Sequence, residues 1–326
     1  MAATDTAPAT AGTPPLGPAA TSRSSFTPRD VTLLLVLASM WGCSFLFIKV
    51  AVASVPPLWV VSFRSLIGAA LLLVILRVRR TRLPRGFAIW RDLALLAALG
   101  NAVPWGLMAW ATQHLPSGIV AVMNALTPTM TMLIAMSFGL ERAATRRFVG
   151  LAIALGGTAL AVSSDLGAPG TLLAVGAVAL GTVAYGAGAV YAKERVSGRQ
   201  PPLAIATGQV SIGALLTLPL AAVISPLPAR ADVPLEAVAS IVALGTIGTG
   251  LAFLTFYALI QGVGATNATM VTYLIPVVAL GVGAAVLGEA LTVVVLVGTA
   301  LTVGGVWLAQ RERVRTPVGQ LTEAPR

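Results

Sequence analysis

Within its most apolar stretches this chain repeats residues at a fixed separation of 148. Pro128 recurs as Pro276, Glu141 as Glu289, Gly100 as Gly248, Leu126 as Leu274, Gly150 as Gly298, and Gly156-Gly157 as Gly304-Gly305. A chain written twice on one apolar plan is expected to fold as two copies of one unit sharing a core. The apolar blocks run roughly 16 to 24 residues, enough at about 1.5 Å per residue to cross ~30 Å of hydrocarbon. Only 10% of the 326 residues are charged and 57% are hydrophobic, whereas a soluble domain carries about 25% charged residues. Too little polar surface remains to cover a water-soluble globule. The ten-residue alternating segments of a membrane β-barrel are not seen. The expected class is an all-α membrane protein, with the lipid bilayer as its first partner.

Ten spans are expected, at about 31–53, 57–76, 93–111, 116–138, 147–163, 170–192, 202–224, 235–258, 265–287 and 291–309. Pro56-Pro57, Pro116, Pro169-Gly170, Pro201-Pro202, Pro226 and Pro228 mark the joints, where a lost N–H donor is tolerated. The repeats then occupy 31–163 and 170–309. Residues 1–29, rich in Ala, Thr and Pro without an apolar core, read as a disordered cytoplasmic tail rather than a signal peptide, and 310–326 as a second cytoplasmic tail. With the N-terminus inside, 18 of the 21 cations fall in cytoplasmic segments; Arg230 alone lies outside, and Lys49 and Arg64 lie within spans. This bias places both termini in the cytoplasm. It also accounts for the net charge of +10 without a nucleic-acid partner. Five spans per repeat is an odd number, so the second repeat enters the membrane upside down: two inverted five-helix repeats.

The span sequences carry a resemblance. Span 1 holds Trp41-Gly42-Cys43-Ser44-Phe45 with Lys49 on the same helix; span 2 follows Pro56-Pro57 and contains Arg64. Span 4 runs from Ser117-Gly118 through Leu126-Thr127-Pro128 to Glu141. Span 9 runs from Gly264-Ala265-Thr266-Asn267 through Leu274-Ile275-Pro276 to Leu287-Gly288-Glu289. In order and spacing, over about residues 31 to 310, these segments resemble the EamA-type transporters of the drug/metabolite transporter superfamily. The second repeat departs from the first at span 6, where Tyr185-Gly186 stands for Trp41-Gly42 and Lys193 for Lys49, and at span 7, where Gln209 answers Arg64. The resemblance implies a central cavity opened alternately to either side of the cell (inner) membrane, and export of small metabolites such as amino acids or drug-like compounds. The implied partner is a small-molecule substrate, and a homodimer is compatible with it.

Among the candidate residues, Arg64 stands out: an arginine several residues into a span is costly unless paired or facing water, and so marks a functional site. Facing a cavity, it would hold a carboxylate or phosphate through its forked donors. Lys49 lies nearer a span end and is a candidate for gating, or for a link to backbone carbonyls or headgroups. Trp41, Phe45, Asn101, Trp105, Asn124, Tyr185, Gln209, Tyr257, Asn267 and Tyr273 fall in spans expected to line the cavity, and each serves helix packing equally well. Pro128 and Pro276 are candidate hinges, since each frees a carbonyl inside a span. Trp59 and Trp110 suggest interfacial belt residues. His114 suggests an exposed turn residue, and Cys43, the only cysteine, a buried small side chain.

No cofactor or metal site is expected. With one histidine and no paired carboxylates within spans, neither Mg²⁺-dependent transfer nor metalloprotease chemistry fits, so a membrane-embedded enzyme is the weaker alternative. No Walker A segment occurs. An exchanger of phosphorylated metabolites or nucleotide sugars remains an alternative; it would call for more cavity cations than Arg64 and Lys49. The expected spans contain no Asp, which favours facilitated diffusion or exchange over a dedicated proton pump.

Overall fold

The computed structural model describes residues 26–229 and 232–311. Most of both expected tails, and Arg230, lie outside the described residues. Among the described residues nine helices are long and apolar enough to cross a membrane, and a tenth, Val271–Leu287, is shorter. Spans 1 to 5 are Pro28–Val52, Pro57–Val78, Phe87–Ala111, Ser117–Ser137 and Thr145–Asp165. Spans 6 to 8 are Thr171–Val196, Pro202–Ile224 and Leu235–Gly264, followed by Val271–Leu287 as span 9 and Val293–Gln310 as span 10. Local sequence sets their starts. Thr27 and Asp30 form a reciprocal capping box at span 1, with Pro28 in the first turn, and Pro57 and Pro202 open spans 2 and 7, where a missing N–H is harmless. Large side chains such as Val74, Leu172, Leu215 and Val223 lie exposed on the outer faces, as lipid contact requires.

Several boundaries differ from expectation, among them the end of span 6, at Val196, and the start of span 9, at Val271. Span 3 begins at Phe87, after Gly86 with φ of 100°, and so takes in Asp92. Span 1 likewise takes in Asp30. The expectation that the spans hold no Asp therefore fails. Span 8 runs on to Gly264, whose φ of 83° turns the chain. Span 4 is two helices, Ser117–Asn124 and Thr127–Ser137, separated at Ala125-Leu126. Pro128 sits just past that break, whereas Pro276 lies within a continuous helix.

Inversion is visible in the packing. Spans 5 and 10 pair with each other, as do 2 and 7; span 1 lies on spans 9 and 8, just as span 6 lies on spans 4 and 3. Gly42 abuts Val278 and the Ile275 carbonyl on span 9, while Gly186, 144 residues later, abuts Met130 and Thr131 on span 4. Spans 5 and 10 approach backbone to backbone. A Cβ on Gly157 would lie 2.5 Å from the Thr302 nitrogen and 2.7 Å from the Gly298 oxygen, and one on Gly305 2.4 Å from the Ala154 nitrogen. The Thr158 and Thr302 hydroxyls meet at 3.1 Å across this seam. Small residues are what permit such closeness between helices in lipid.

The neighbouring glycines provide a control, because a Cβ on Gly156 or Gly304 meets nothing within 4 Å. Gly157→Ala is expected to destabilise by about 1–3 kcal/mol through overpacking. Gly156→Ala is expected to be neutral or to stabilise by up to ~1 kcal/mol through helix propensity. Thermal unfolding of the purified variants in detergent checks the contrast; equal melting temperatures would refute the seam.

Candidate substrate site

The centre of the bundle is organised by a repeated irregularity. Span 3 loosens into a π-helical turn at Ala98–Ala102 and span 8 into another at Thr246–Leu251, so the turns begin 148 residues apart. Such turns widen a helix and re-aim its side chains, often at functional sites. Here they present Asn101 and Thr249, which are themselves 148 residues apart. Thr249 accepts from Arg64 Nε at 3.0 Å, and Arg64 Nη2 donates to the Gly248 carbonyl at 3.4 Å. On the other side, Gln209 Nε2 donates to Asn101 Oδ1. Span 2 therefore grips the bulge of span 8 as span 7 grips the bulge of span 3. Gly68 faces Thr249 and Gly213 faces Asn101, letting both bulges come close.

The two brackets share geometry and differ in charge. Arg64 is 6% exposed, and its guanidinium lies over the Trp105 ring, 3.9 Å from the centroid. A desolvated cation–π contact of this kind contributes roughly 2 kcal/mol. Tyr185 on span 6 packs against the two largest apolar clusters, one of which holds Trp105. Among the described residues only two of the five guanidinium N–H groups have acceptors. Asn101 is fully buried, and its Nδ2 has no partner among the described residues. The arrangement supplies an anion donor beside an aromatic wall, with an unpaired amide donor one helical turn from Trp105 on the same span.

Five of the expected site residues, Arg64, Asn101, Trp105, Tyr185 and Gln209, thus belong to these brackets. The others are placed elsewhere. Trp41 meets Phe256 at 5.4 Å between centroids, next to Tyr257, which itself stacks on Phe253. Phe45 is buried in the largest apolar cluster, which draws on every span except 2 and 7. Asn124 accepts from Thr127 at the break in span 4, Asn267 bonds back to the Val263 carbonyl, and Tyr273 donates to Gln310 of span 10.

The ends of the bundle carry their own polar contacts. Lys49 Nζ donates to the carbonyls of Thr112 and Leu115 at 2.7 and 2.9 Å. Glu289 accepts from the Ser117 nitrogen at 2.6 Å, its hydroxyl at 3.0 Å and the Gly118 nitrogen at 3.2 Å. At the opposite end Asp92, buried on span 3, is held by the Tyr191 hydroxyl at 2.8 Å and Arg199 at 3.1 Å. Trp59 is not a belt residue: it is buried, and its indole donates to the Ser225 carbonyl. His114 is half-buried against Trp110 and Gly170 rather than exposed, and Cys43 is half-buried. The expected sites omitted Thr249 and Asp92. The 148-residue shift applied to Asn101 finds Thr249, whereas Asp92 was hidden by the misplaced start of span 3.

Comparison with known proteins agrees with this architecture. The sequence profile of the EamA-like transporter family matches residues 29–163 and again 172–310. An Escherichia coli K12 protein named uncharacterized inner membrane transporter YedA is 29% identical over 79% of this chain and 83% of its own length. A Streptantibioticus cattleyicolor protein named probable terminal-alkyne amino-acid exporter is 28% identical over 87% of this chain and 94% of its own. One crystal structure, 19% identical, superposes with a TM-score of 0.63 over 86% of this chain and 97% of that one, a likeness of fold alone. A doubled profile laid over two inverted five-helix repeats leaves one assignment: the chain belongs to the EamA-like transporter family.

Proposed function

We propose that this transporter exports small organic acids, amino acids and similar metabolites among them, across the inner membrane by alternating access, with both termini cytoplasmic and without catalysis. The observation that carries the reading is Arg64: a deep guanidinium, fixed through Nε and one Nη, stacked on Trp105 and left with unused donors. Immobilised forked donors against an aromatic wall suit the carboxylate of an amphipathic molecule. The unpaired Asn101 Nδ2 suits a neutral acceptor on the same molecule. Lys49 is already committed to two carbonyls, which leaves a single cation in the centre among the described residues. One guanidinium matches a carboxylate better than a phosphorylated sugar nucleotide. The carboxylates lie at span ends, and no proton relay crosses the middle among the described residues, which favours facilitated diffusion or exchange. Pro128 and Pro276 are the hinges of this cycle, with Pro128 placed at the break in span 4.

Two outcomes follow for the protein in proteoliposomes. In counterflow with a panel of labelled amino acids and their uncharged amides, the wild type should favour acids. Arg64→Ala should abolish that preference and Arg64→Lys should slow acid transport about tenfold; full acid transport by Arg64→Lys would sink the assignment. Dissipating an imposed proton gradient with an uncoupler should leave net substrate uptake unchanged within about twofold, and loss of uphill accumulation would mean proton coupling.

A further inference from the structure

Inverted repeats allow one half of the molecule to be read as the other half in its opposite conformation. Apart from Arg64 and its counterpart, two charged pairs related by the repeat make different contacts, and both differ in the same sense. Glu289 and Lys49 hold the turn between spans 3 and 4: Glu289 caps the start of span 4 through Ser117 and Gly118, and Lys49 takes the carbonyls of Thr112 and Leu115. The counterpart stretch, residues 260–266, is the last turn of span 8 and the residues just past the Gly264 kink that lead into span 9. Glu141, the counterpart of Glu289, is instead paired with Arg147 at 2.7 Å. Lys193, the counterpart of Lys49, is exposed and has no hydrogen-bond partner among the described residues. The neighbours of that turn are Asp30, which lies against Gly262, and Asn267, which takes the Val263 carbonyl.

The correspondence does not rest on numbering alone. The contacts of Gly42 with Val278 and of Gly186 with Met130 show that a 144-residue shift relates spans 1 and 6 while a 148-residue shift relates spans 4 and 9. Those are the shifts that relate Lys49 to Lys193 and Glu289 to Glu141. Two residues on different spans, with opposite charges, are thus engaged together at one end and disengaged together at the other.

We infer that Glu289 with Lys49 and Glu141 with Lys193 are alternating clasps, and that the structure is the state with the Glu289 end shut. In the opposite state Glu141 leaves Arg147 and caps the start of span 9, Lys193 takes the last carbonyls of span 8, and Glu289 and Lys49 let go. A carboxylate at a helix N-terminus and an ammonium at a C-terminal turn each complement the helix dipole, so each clasp is complete without substrate. Each clasp spans only a few hydrogen bonds, so neither state is held irreversibly. The inference rests on the alternating-access reading but not on Arg64 or on the identity of the substrate.

Hydrogen exchange measured by mass spectrometry on the substrate-free protein in lipid nanodiscs tests it. Glu289→Ala should speed exchange in residues 112–120, since the Ser117 and Gly118 amides lose their acceptors. It should also slow exchange in residues 260–268 at least about twofold, as molecules move to the opposite state. Lys49→Gln should act in the same direction, and Glu141→Gln should leave 112–120 as protected as before. A static brace predicts faster exchange at 112–120 with no protection gained at 260–268. That result, exchange rising at both turns, or no change at either turn would overturn the inference. The readout needs no substrate, so it can fail while the Arg64 preference holds, or hold while that preference fails.

Discussion

A guanidinium inside an apolar bundle has to be matched by its surroundings, and much of the central structure follows from how Arg64 is matched. Its acceptors are a threonine hydroxyl and a main-chain carbonyl on span 8, and a regular α-helix seldom offers both to one neighbouring side chain. An i to i+4 ladder occupies its carbonyls internally and points side chains at fixed intervals. The π turn at Thr246–Leu251 removes both obstacles by widening one turn of the ladder. Close approach is the second requirement, and Gly245 against Ile67 and Gly68 against Thr249 supply it. The bulge, the glycines and the arginine form one device, and a change in any of them leaves the charge without its partners.

The same device exists without charge on the other side of the pseudo-two-fold axis. Gln209 and Asn101 occupy the places of Arg64 and Thr249, over a second bulge and a second glycine contact at Gly213. Duplication supplied the geometry twice, and divergence altered only the chemistry at the two contact points. A centre with one charged and one neutral bracket gives a bound molecule a preferred direction, which a symmetric site would not. In the proposed cycle the scaffold keeps the symmetry that lets both ends open, and the substrate reads the difference between the halves.

How much of this was legible beforehand depended on the kind of signal. The spans were legible because each needs some twenty apolar residues, and the inversion because cations mark the cytoplasmic side of every loop. Arg64, Trp105 and Gln209 were legible as polar or aromatic residues where lipid forbids casual polarity. The bulges were not, because a π turn leaves the composition and apolar pattern of a helix unchanged; only the repeated Gly100 and Gly248 hinted at them. Asp92 was missed because an acidic residue beside Arg91 looks like a loop. In the structure Tyr191 and Arg199 reach it from span 6 and the following loop, contacts that no local window contains. Trp59 looked interfacial for the same reason: its partner, the Ser225 carbonyl, lies 166 residues away.

Charge placement at the span ends carries the last step. Glu141 and Glu289 are related by the repeat and so began with the same neighbours, yet Glu141 now stands before Arg142, Arg146 and Arg147 while Glu289 is followed by an uncharged stretch. The positive-inside bias accounts for those arginines without reference to mechanism. Its consequence is mechanical all the same: Glu141 acquires a resting partner in Arg147, and no ion pair holds Glu289 among the described residues. The Glu141–Arg147 pair is half-buried, and leaving it costs on the order of 1 kcal/mol, so Arg147 can tilt the balance between the two clasps without locking it. Topogenesis has thus set a bias between two otherwise equivalent states, favouring the one in which Glu289 is engaged and Glu141 is not.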